Sequence, residues 1–266
     1  MGDGISETID AFHRGRFHVI QPKGRGHRAG MDAMLLASLV ADERACRIAD
    51  LGAGAGAAGM AVATRLEKAE VTLYERSPEM AQFARRSLEL PENAAFSARV
   101  SVREADVTLR AKARAEAGLP DDHFHHVIMN PPYNDAGDRR TPDALKAEAH
   151  AMTDGLFEDW IRTAGAIMVP GGQLSLISRP QSVAEIIAAC GSRFGGLEIT
   201  LIHPRPGEDA VRMLVTAIKG SRARLSFRAP LIMHETGSHA FTPFVDDLNN
   251  GRAAYSRNVR AIRPAS

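Results

Sequence analysis

The sequence predicts an α/β fold built on a mainly parallel, doubly wound sheet, and three observations carry that expectation. From Arg47 onward, short apolar runs alternate with stretches of helical composition, as expected when both faces of each strand are buried. A glycine-rich turn, Gly52-Ala53-Gly54-Ala55-Gly56, separates the first of these strands from its helix, which suits the start of a strand–helix–strand crossover. Late in the chain, Leu197–His203 and Val211–Lys219 are joined only by the proline-rich Pro204–Asp209. That link is short enough for an antiparallel pair.

The elements follow in order. Gly15–Pro22 reads as a strand closed by a proline, with Lys23-Gly24-Arg25-Gly26 as a turn. Asp32 stands before the apolar Ala33–Ala41, as an acidic N-cap or first-turn residue of a helix. Arg47–Leu51 is a strand, and Ala57–Lys68 a helix with Met60, Val62, Ala63 and Leu66 on its apolar side. Glu70–Glu75, Arg99–Glu104 and His125–Met129 are further strands, with a helix over Pro78–Leu90 between the first two. Gln173–Ser178 is another strand after a Pro170-Gly171-Gly172 turn, and Trp160 lies on an amphipathic helix, where a core role is expected.

Composition bounds the function. A chain of 266 residues with 44% hydrophobic and 24% charged residues is sized for one large domain or two small ones, and disorder is excluded. Lys+Arg 33 against Asp+Glu 32 leaves no whole-chain basic field for nucleic acid. Two distant cysteines, Cys46 and Cys190, exclude a disulfide framework and a cysteine metal site. No run is long enough for a membrane span, and the acidic Met1-Gly2-Asp3-Gly4 opening lacks a signal-peptide pattern. A cytoplasmic protein with no membrane partner is the expectation.

The sharpest early signal is Asp50-Leu51-Gly52-Ala53-Gly54-Ala55-Gly56. Glycine there lets the chain turn through conformations that a Cβ penalises and lets a ligand lie against bare backbone. The overlapping Gly54-Ala55-Gly56-Ala57-Ala58-Gly59 fits the dinucleotide pattern G-x-G-x-x-G, a weak match in a chain rich in small residues. Asp50 would repel a pyrophosphate and attract a cationic ligand; S-adenosylmethionine carries both an ammonium and a sulfonium. Glu75, about 20 residues past the loop, is placed for ribose hydroxyls. Asp106, just past the next strand, is placed for the adenine amino group. A tight turn with helix-capping carboxylates is the competing reading. Three acids ending successive strands, where open α/β sheets bind ligands, favour a cofactor site made of Asp50, Gly52, Ala53, Gly54, Gly56, Glu75 and Asp106.

Asn130-Pro131-Pro132-Tyr133 follows the apolar Val127-Ile128-Met129 and so caps the fourth strand on the same edge. With this tetrapeptide the chain resembles the Rossmann-like, class I, S-adenosylmethionine-dependent methyltransferases of the N-P-P-Y group, which methylate a planar nitrogen. More closely, it is similar to the family that methylates N6 of an anticodon-loop adenosine, position 37, in a valine tRNA. That closer likeness rests on His27-Arg28-Ala29-Gly30-Met31-Asp32-Ala33-Met34-Leu35-Leu36-Ala37 and on Asp209-Ala210-Val211-Arg212-Met213-Leu214-Val215. It spans roughly Phe17 to Arg252. DNA adenine, RNA adenine or guanine, and glutamine-modifying relatives share the tetrapeptide.

The resemblance implies a seven-stranded, mostly parallel sheet ending in an antiparallel pair. It implies an N-terminal extension over 1–32 with a short strand or hairpin, then a methyltransferase domain over 33–266. S-adenosylmethionine is the implied cofactor, S-adenosylhomocysteine the product, and RNA, foremost tRNA, the partner; the oligomeric state stays open, a homodimer included. Asn130, Pro131, Pro132 and Tyr133 are the implied catalytic residues. The Asn130 side-chain oxygen and the Pro131 carbonyl each accept one N–H of the exocyclic amine, building lone-pair density towards the methyl. Tyr133 offers a face on which a flipped base stacks. Neither a strong base nor a metal is required. Asp32 and Asn130 also take implied places beside the cofactor, although a helix cap explains Asp32 equally well. Met31 departs from the family pattern, where a small hydroxyl residue is expected.

Other signals are weaker. His123, His125 and His126 with Asp121 and Asp122 suggest a metal, but His123 and His125, which would share a strand face, bring no third ligand at clear spacing, and this favours a solvated strand entrance. Arg14, Arg16, Lys23, Arg25 and Arg28, and a second group from Arg222 to Arg263, read as solvated faces, or at the front as a phosphate-contacting rim. Alternatives stay open: another RNA base, a glutamine side chain or a small-molecule hydroxyl as acceptor, an NAD-binding oxidoreductase, or an inactive RNA-binding relative.

Overall fold

A computed structural model describes residues 6–23, 28–132 and 155–257. The first element is a hairpin of β1 (Glu7–Phe12) and β2 (Phe17–Pro22), paired antiparallel. The main sheet comprises β3 (Cys46–Leu51), β4 (Ala69–Glu75), β5 (Val100–Glu104), β6 (Phe124–Met129), β7 (Met168–Ser178), β8 (Phe194–His203), β9 (Arg212–Lys219) and the two-residue β10 (Ser226–Phe227) and β11 (Leu231–Ile232). The helices are α1 (Met31–Ser38), α2 (Ala57–Arg65), α3 (Pro78–Leu88), α4 (Ala94–Ser97), α5 (Ala111–Glu116), α6 (Leu156–Ile167), α7 (Val183–Cys190) and α8 (Pro243–Asn249).

Strand order in the main sheet is β10-β8-β9-β7-β6-β3-β4-β5, with β11 also on β8. The run from β8 to β5 is the expected seven-stranded, mostly parallel sheet. β9 runs antiparallel to both β7 and β8. The two short strands beyond β8 carry too little side-chain pattern to be read in the sequence. From β3 the chain builds outward through β4 and β5, then returns to place β6 on the other side of β3. The strand order therefore reverses between β3 and β6, and ligands of open α/β sheets bind at such a point, beyond the carboxyl ends of the strands.

Both faces of the sheet are covered. Ile48 of β3 belongs to a core cluster with Leu36 of α1, Met60 of α2 and Phe17 of the hairpin, whereas Ala49 and Leu51 belong to one with Trp160 and Ile161 of α6. This is the strand's two-residue period, and it puts Asp50 on the face of Ile48 and α2. The hairpin is bound in with polar contacts as well: the His18 and Ile20 amides donate to Asn93 Oδ1 at 2.9 Å and Ser87 Oγ at 2.8 Å. Those side chains satisfy backbone donors that have no third strand to pair with.

Several element limits differ from expectation for identifiable reasons. α1 begins at Met31, with Gly30 before it, so Asp32 lies in the first turn and not at the cap. α2 stops at Arg65 because Leu66 turns extended, short of Lys68. The Pro170-Gly171-Gly172 stretch, expected as a turn before a strand, lies inside β7. A register shift on β6 between Phe124 and His126 absorbs the extra residues there. Among the described residues, no helix is long and apolar enough to cross a membrane.

Candidate active site

The glycine loop leaves β3 between its two neighbours. The Gly52 and Ala53 amides both donate to the Tyr74 carbonyl, at 2.8 and 3.0 Å, so the loop is bonded to β4 as it turns. The Gly56 amide donates to the Ala53 carbonyl at 2.8 Å and closes the turn ahead of α2. Gly54 stands at φ +57°, and a Cβ added there would meet only Met80 Cε, at 3.8 Å. Position 54 thus joins a conformation that favours glycine to open space beside the backbone.

Glu75 ends β4 and organises this loop. Its Oε2 accepts from the Gly54 amide at 2.8 Å and its Oε1 from the Ser77 amide at 2.8 Å. Ser77 in turn caps α3, where Pro78 opens the first turn. Two amides use only part of the capacity of a carboxylate, which has about four lone-pair positions, so acceptor sites remain for hydroxyl groups. Asp106 follows β5, and its Oδ1 accepts from both the Thr108 amide, at 2.8 Å, and the Thr108 hydroxyl, at 2.7 Å. Its Oδ2 takes no part in that turn.

Asp50 occupies a different position from the other two acids. Its carboxylate is 2% exposed and lies beneath the loop, where Oδ2 accepts from the Gly59 amide at 2.8 Å. Burial pushes its pKa up to about 7; the Gly59 N–H works against that rise, and the charge of Glu75 adds to it. The structure therefore makes Asp50 a brace between β3 and the first turn of α2, with its charge buried just below the loop.

Asn130 continues β6. Met129 is in register with Leu51, so Asn130 and Gly52 lie one step beyond the same pair, at adjacent strand ends. Asn130 and Pro132 are half-buried, and Pro131 is buried. Tyr133 lies outside the described residues. The sheet thus brings together Asp50, Gly52, Ala53, Gly54, Gly56, Glu75, Asp106 and the Asn130-Pro131-Pro132 turn along one edge. An open cradle at Gly54, spare carboxylate acceptors and the Asp50 carboxyl buried under the loop, whose ionised form a cation would favour, fit S-adenosylmethionine, with its ribose hydroxyls and two cationic centres.

Asp32 reaches this edge through a contact that spacing does not announce. Arg212 Nε of β9 donates to Asp32 Oδ2 at 2.8 Å, and the two side chains are 29% and 21% exposed. The two segments that carried the closer family likeness are therefore bonded to each other. Residues 180 positions apart in the chain leave no local pattern by which their pairing is read.

The three histidines lie at the opposite, N-terminal edge of the strands. His125 Nδ1 accepts from the Arg47 amide at 3.0 Å, and His126 is buried with Nε2 3.5 Å from Asp42 Oδ2. His123 and His125 stay half-exposed at the strand entrance, whereas register with Ile48 of β3 draws His126 inward. A cavity of about 520 Å³, lined in part by Asp42, His125, His126 and Gln173, opens there. It is separated from Asn130 by the length of the strands. Among the described residues no group of three His, Cys, Asp or Glu gathers as a metal site.

A family model described as the methyltransferase small domain matches residues 28–199. A tRNA1(Val) (adenine(37)-N6)-methyltransferase of Shewanella sediminis is 30% identical over 176 residues, which cover 66% of this chain and 68% of that protein. A release factor glutamine methyltransferase of Deinococcus radiodurans is 32% identical over 149 residues, covering 53% of this chain and 49% of that protein. Among solved structures, a predicted O-methyltransferase from Agrobacterium tumefaciens is 85% identical, with a TM-score of 0.76. The match covers 86% of this chain and all of that one.

Proposed function

The chain belongs to the methyltransferase small-domain family and is an S-adenosylmethionine-dependent methyltransferase, and from that premise we propose that it methylates the N6 amine of adenine in tRNA. The observation that carries the reading is the position of the Asn130-Pro131 turn, one residue beyond the Leu51–Met129 pair and so beside the glycine loop. The Shewanella relative, whose name states that chemistry, supports the choice of acceptor.

S-adenosylmethionine supplies an electrophilic methyl group on a positively charged sulfur. The residues of the chain have three tasks. Glu75 and Asp106 hold hydroxyl and amino groups of the cofactor while the backbone at Gly54 lies against it. Asn130 Oδ1 and the Pro131 carbonyl accept the two N–H bonds of the exocyclic amine. That amine is a poor nucleophile because its lone pair is delocalised into the ring, and two acceptors holding its hydrogens localise the pair on nitrogen. The prolines hold the turn, so both acceptors are oriented before the base arrives. Asn130 accepts hydrogen bonds but does not remove a proton from a hydroxyl. A nitrogen that becomes strongly acidic as the methyl transfers suits it better than an alcohol.

The test is incubation with labelled S-adenosylmethionine and total tRNA, followed by nucleoside mass analysis. Label in N6-methyladenosine is the expected result, and label confined to small metabolites defeats the RNA reading. Asn130→Ala is expected to lower kcat by about 10²–10³, while tRNA retention persists. A second reading, transfer to a glutamine side-chain amide, is favoured by the release factor methyltransferase relative. That amide presents the same planar NH₂ to Asn130, and a release factor as acceptor in the same assay separates the two.

A further inference from the structure

Helix α6 does more than fill the core beneath the sheet. Its Trp160, the sole tryptophan of the chain, is 6% exposed and packs with Ala49, Leu51 and Met129, which flank the site from below. The ring reaches the glycine loop itself. A Cβ added at Gly52 would lie 2.3 Å from Trp160 Cη2 and 2.9 Å from Cζ3, so the indole occupies the space where a side chain at position 52 would stand. Gly52 also has φ +69°. Its glycine is therefore required twice, by conformation and by the ring.

The same helix holds the loop that carries Asp106. Thr163 Oγ1 donates to the Val107 carbonyl at 2.6 Å, and Thr163 is buried. Arg162 Nη2 donates to the Thr108 carbonyl at 3.1 Å, and Arg110 is paired with Asp159 at 2.9 Å. The glycine loop and the Asp106 loop leave different strands, β3 and β5, which are separated by β4. Within one stretch of α6, Asp159 to Thr163, side chains touch both.

We propose that Trp160 is a positioning residue for cofactor binding: its indole sets the Gly52 backbone, while α6 through Thr163 and Arg162 sets the Asp106 loop, so a single helix registers both halves of the cradle. This rests on the reading of these loops as the S-adenosylmethionine site. A rigid ring against bare backbone fixes the loop more tightly than a flexible aliphatic side chain does, because the indole has few conformations and leaves no gap into which Gly52 can relax. Trp160 acts through the loop and touches no reacting atom.

The test measures S-adenosylhomocysteine binding by calorimetry on the full chain, together with KM for S-adenosylmethionine and for tRNA. Trp160→Ala is expected to weaken S-adenosylhomocysteine binding about tenfold or more, since loss of positioning remote from the chemistry is expensive. Trp160→Phe, which keeps a flat ring, should restore binding to within about threefold of the native chain. KM for S-adenosylmethionine should rise in step while KM for tRNA holds, a split that general destabilisation does not produce. Gly52→Ala should weaken binding in the native background, and Gly52→Ala with Trp160→Ala should be less damaged than the two single losses combined, because the added methyl enters the vacated space. Trp160→Leu carries the same reading if Trp160→Ala does not fold. Native affinity in both the Ala and Leu variants, or strict additivity with Gly52→Ala, overturns the proposal. A native chain that binds no S-adenosylhomocysteine at all overturns the cofactor reading itself, and this inference with it.

Discussion

Replacing Asp50 by Asn isolates the buried charge under the glycine loop. In the folded chain its pKa is pushed up to about 7 by burial, from 3.8 for an ordinary aspartate. A carboxyl whose folded value lies above its unfolded value is destabilised on ionisation. Its contribution to stability is fully present below the unfolded pKa and is lost as pH rises through the folded one. The whole shift corresponds to about 4 kcal/mol, of which about 3 kcal/mol falls between pH 5 and pH 8. Urea unfolding of the cofactor-free native chain and of Asp50→Asn across that range gives the comparison. The difference in stability between them should move in favour of the variant by about 3 kcal/mol on going from pH 5 to pH 8. Taking the difference cancels the titrating groups that do not interact with Asp50, and any fixed cost of burying the Asn amide shifts the curve without changing its slope. A difference that stays flat with pH would show that Asp50 ionises freely in the fold, and the account of a buried charge beneath the loop would fail.

Two further outcomes follow from the same geometry. Glu75→Gln places an amide NH₂ against the Gly54 or Ser77 N–H, where the carboxylate accepted both, so S-adenosylhomocysteine affinity should fall about tenfold or more. Unchanged affinity by calorimetry removes Glu75 from the cofactor site. Asp32→Ala, Arg212→Ala and the double variant form a cycle across a pair that is 21% and 29% exposed. A coupling of about 1 kcal/mol in urea unfolding is expected for an ion pair so placed, and a coupling near zero means that α1 is not held to β9 through it.

The parts of this molecule that sequence made legible are those written in local pattern. The apolar strands β3, β4 and β6 announce themselves by composition, and the glycine loop by residues that a Cβ would exclude. Because the strands are parallel and end on one edge, Asp50, Glu75, Asp106 and Asn130 converge without any contact having to be read. What local pattern leaves out is direction and depth. Asp50 and Glu75 look alike in the sequence, yet the two-residue period turns Asp50 under the loop towards Gly59 while Glu75 lies beside Gly54. Trp160 was legible as core, but its contact with Gly52 depends on how α6 returns beneath β3. Of the three histidines near β6, read together as a solvated entrance for want of a third metal ligand, only His126 departs, because register with β3 buries it.

On the proposed reading, the hydrogen-bond acceptors of the Asn130 turn do not by themselves choose the methyl acceptor. Two acceptors that grip a planar NH₂ would serve an adenine and a glutamine amide equally, so the turn as proposed sets the reaction and leaves the substrate to its surroundings. A polynucleotide requires cations for its phosphates, and at this edge several arginines are already engaged. Arg212 is paired with Asp32, Arg110 with Asp159, and Arg205 lies 3.6 Å from Glu208 in the link between β8 and β9. A phosphate that takes one of these guanidinium groups displaces a carboxylate, and it gains only the difference between two ion pairs. A net charge of +1 adds no whole-chain field to these engaged arginines. On the proposed reading, the acceptor is chosen by what stacks and hydrogen-bonds around the Asn130 turn, with the base's fit carrying what these paired arginines do not.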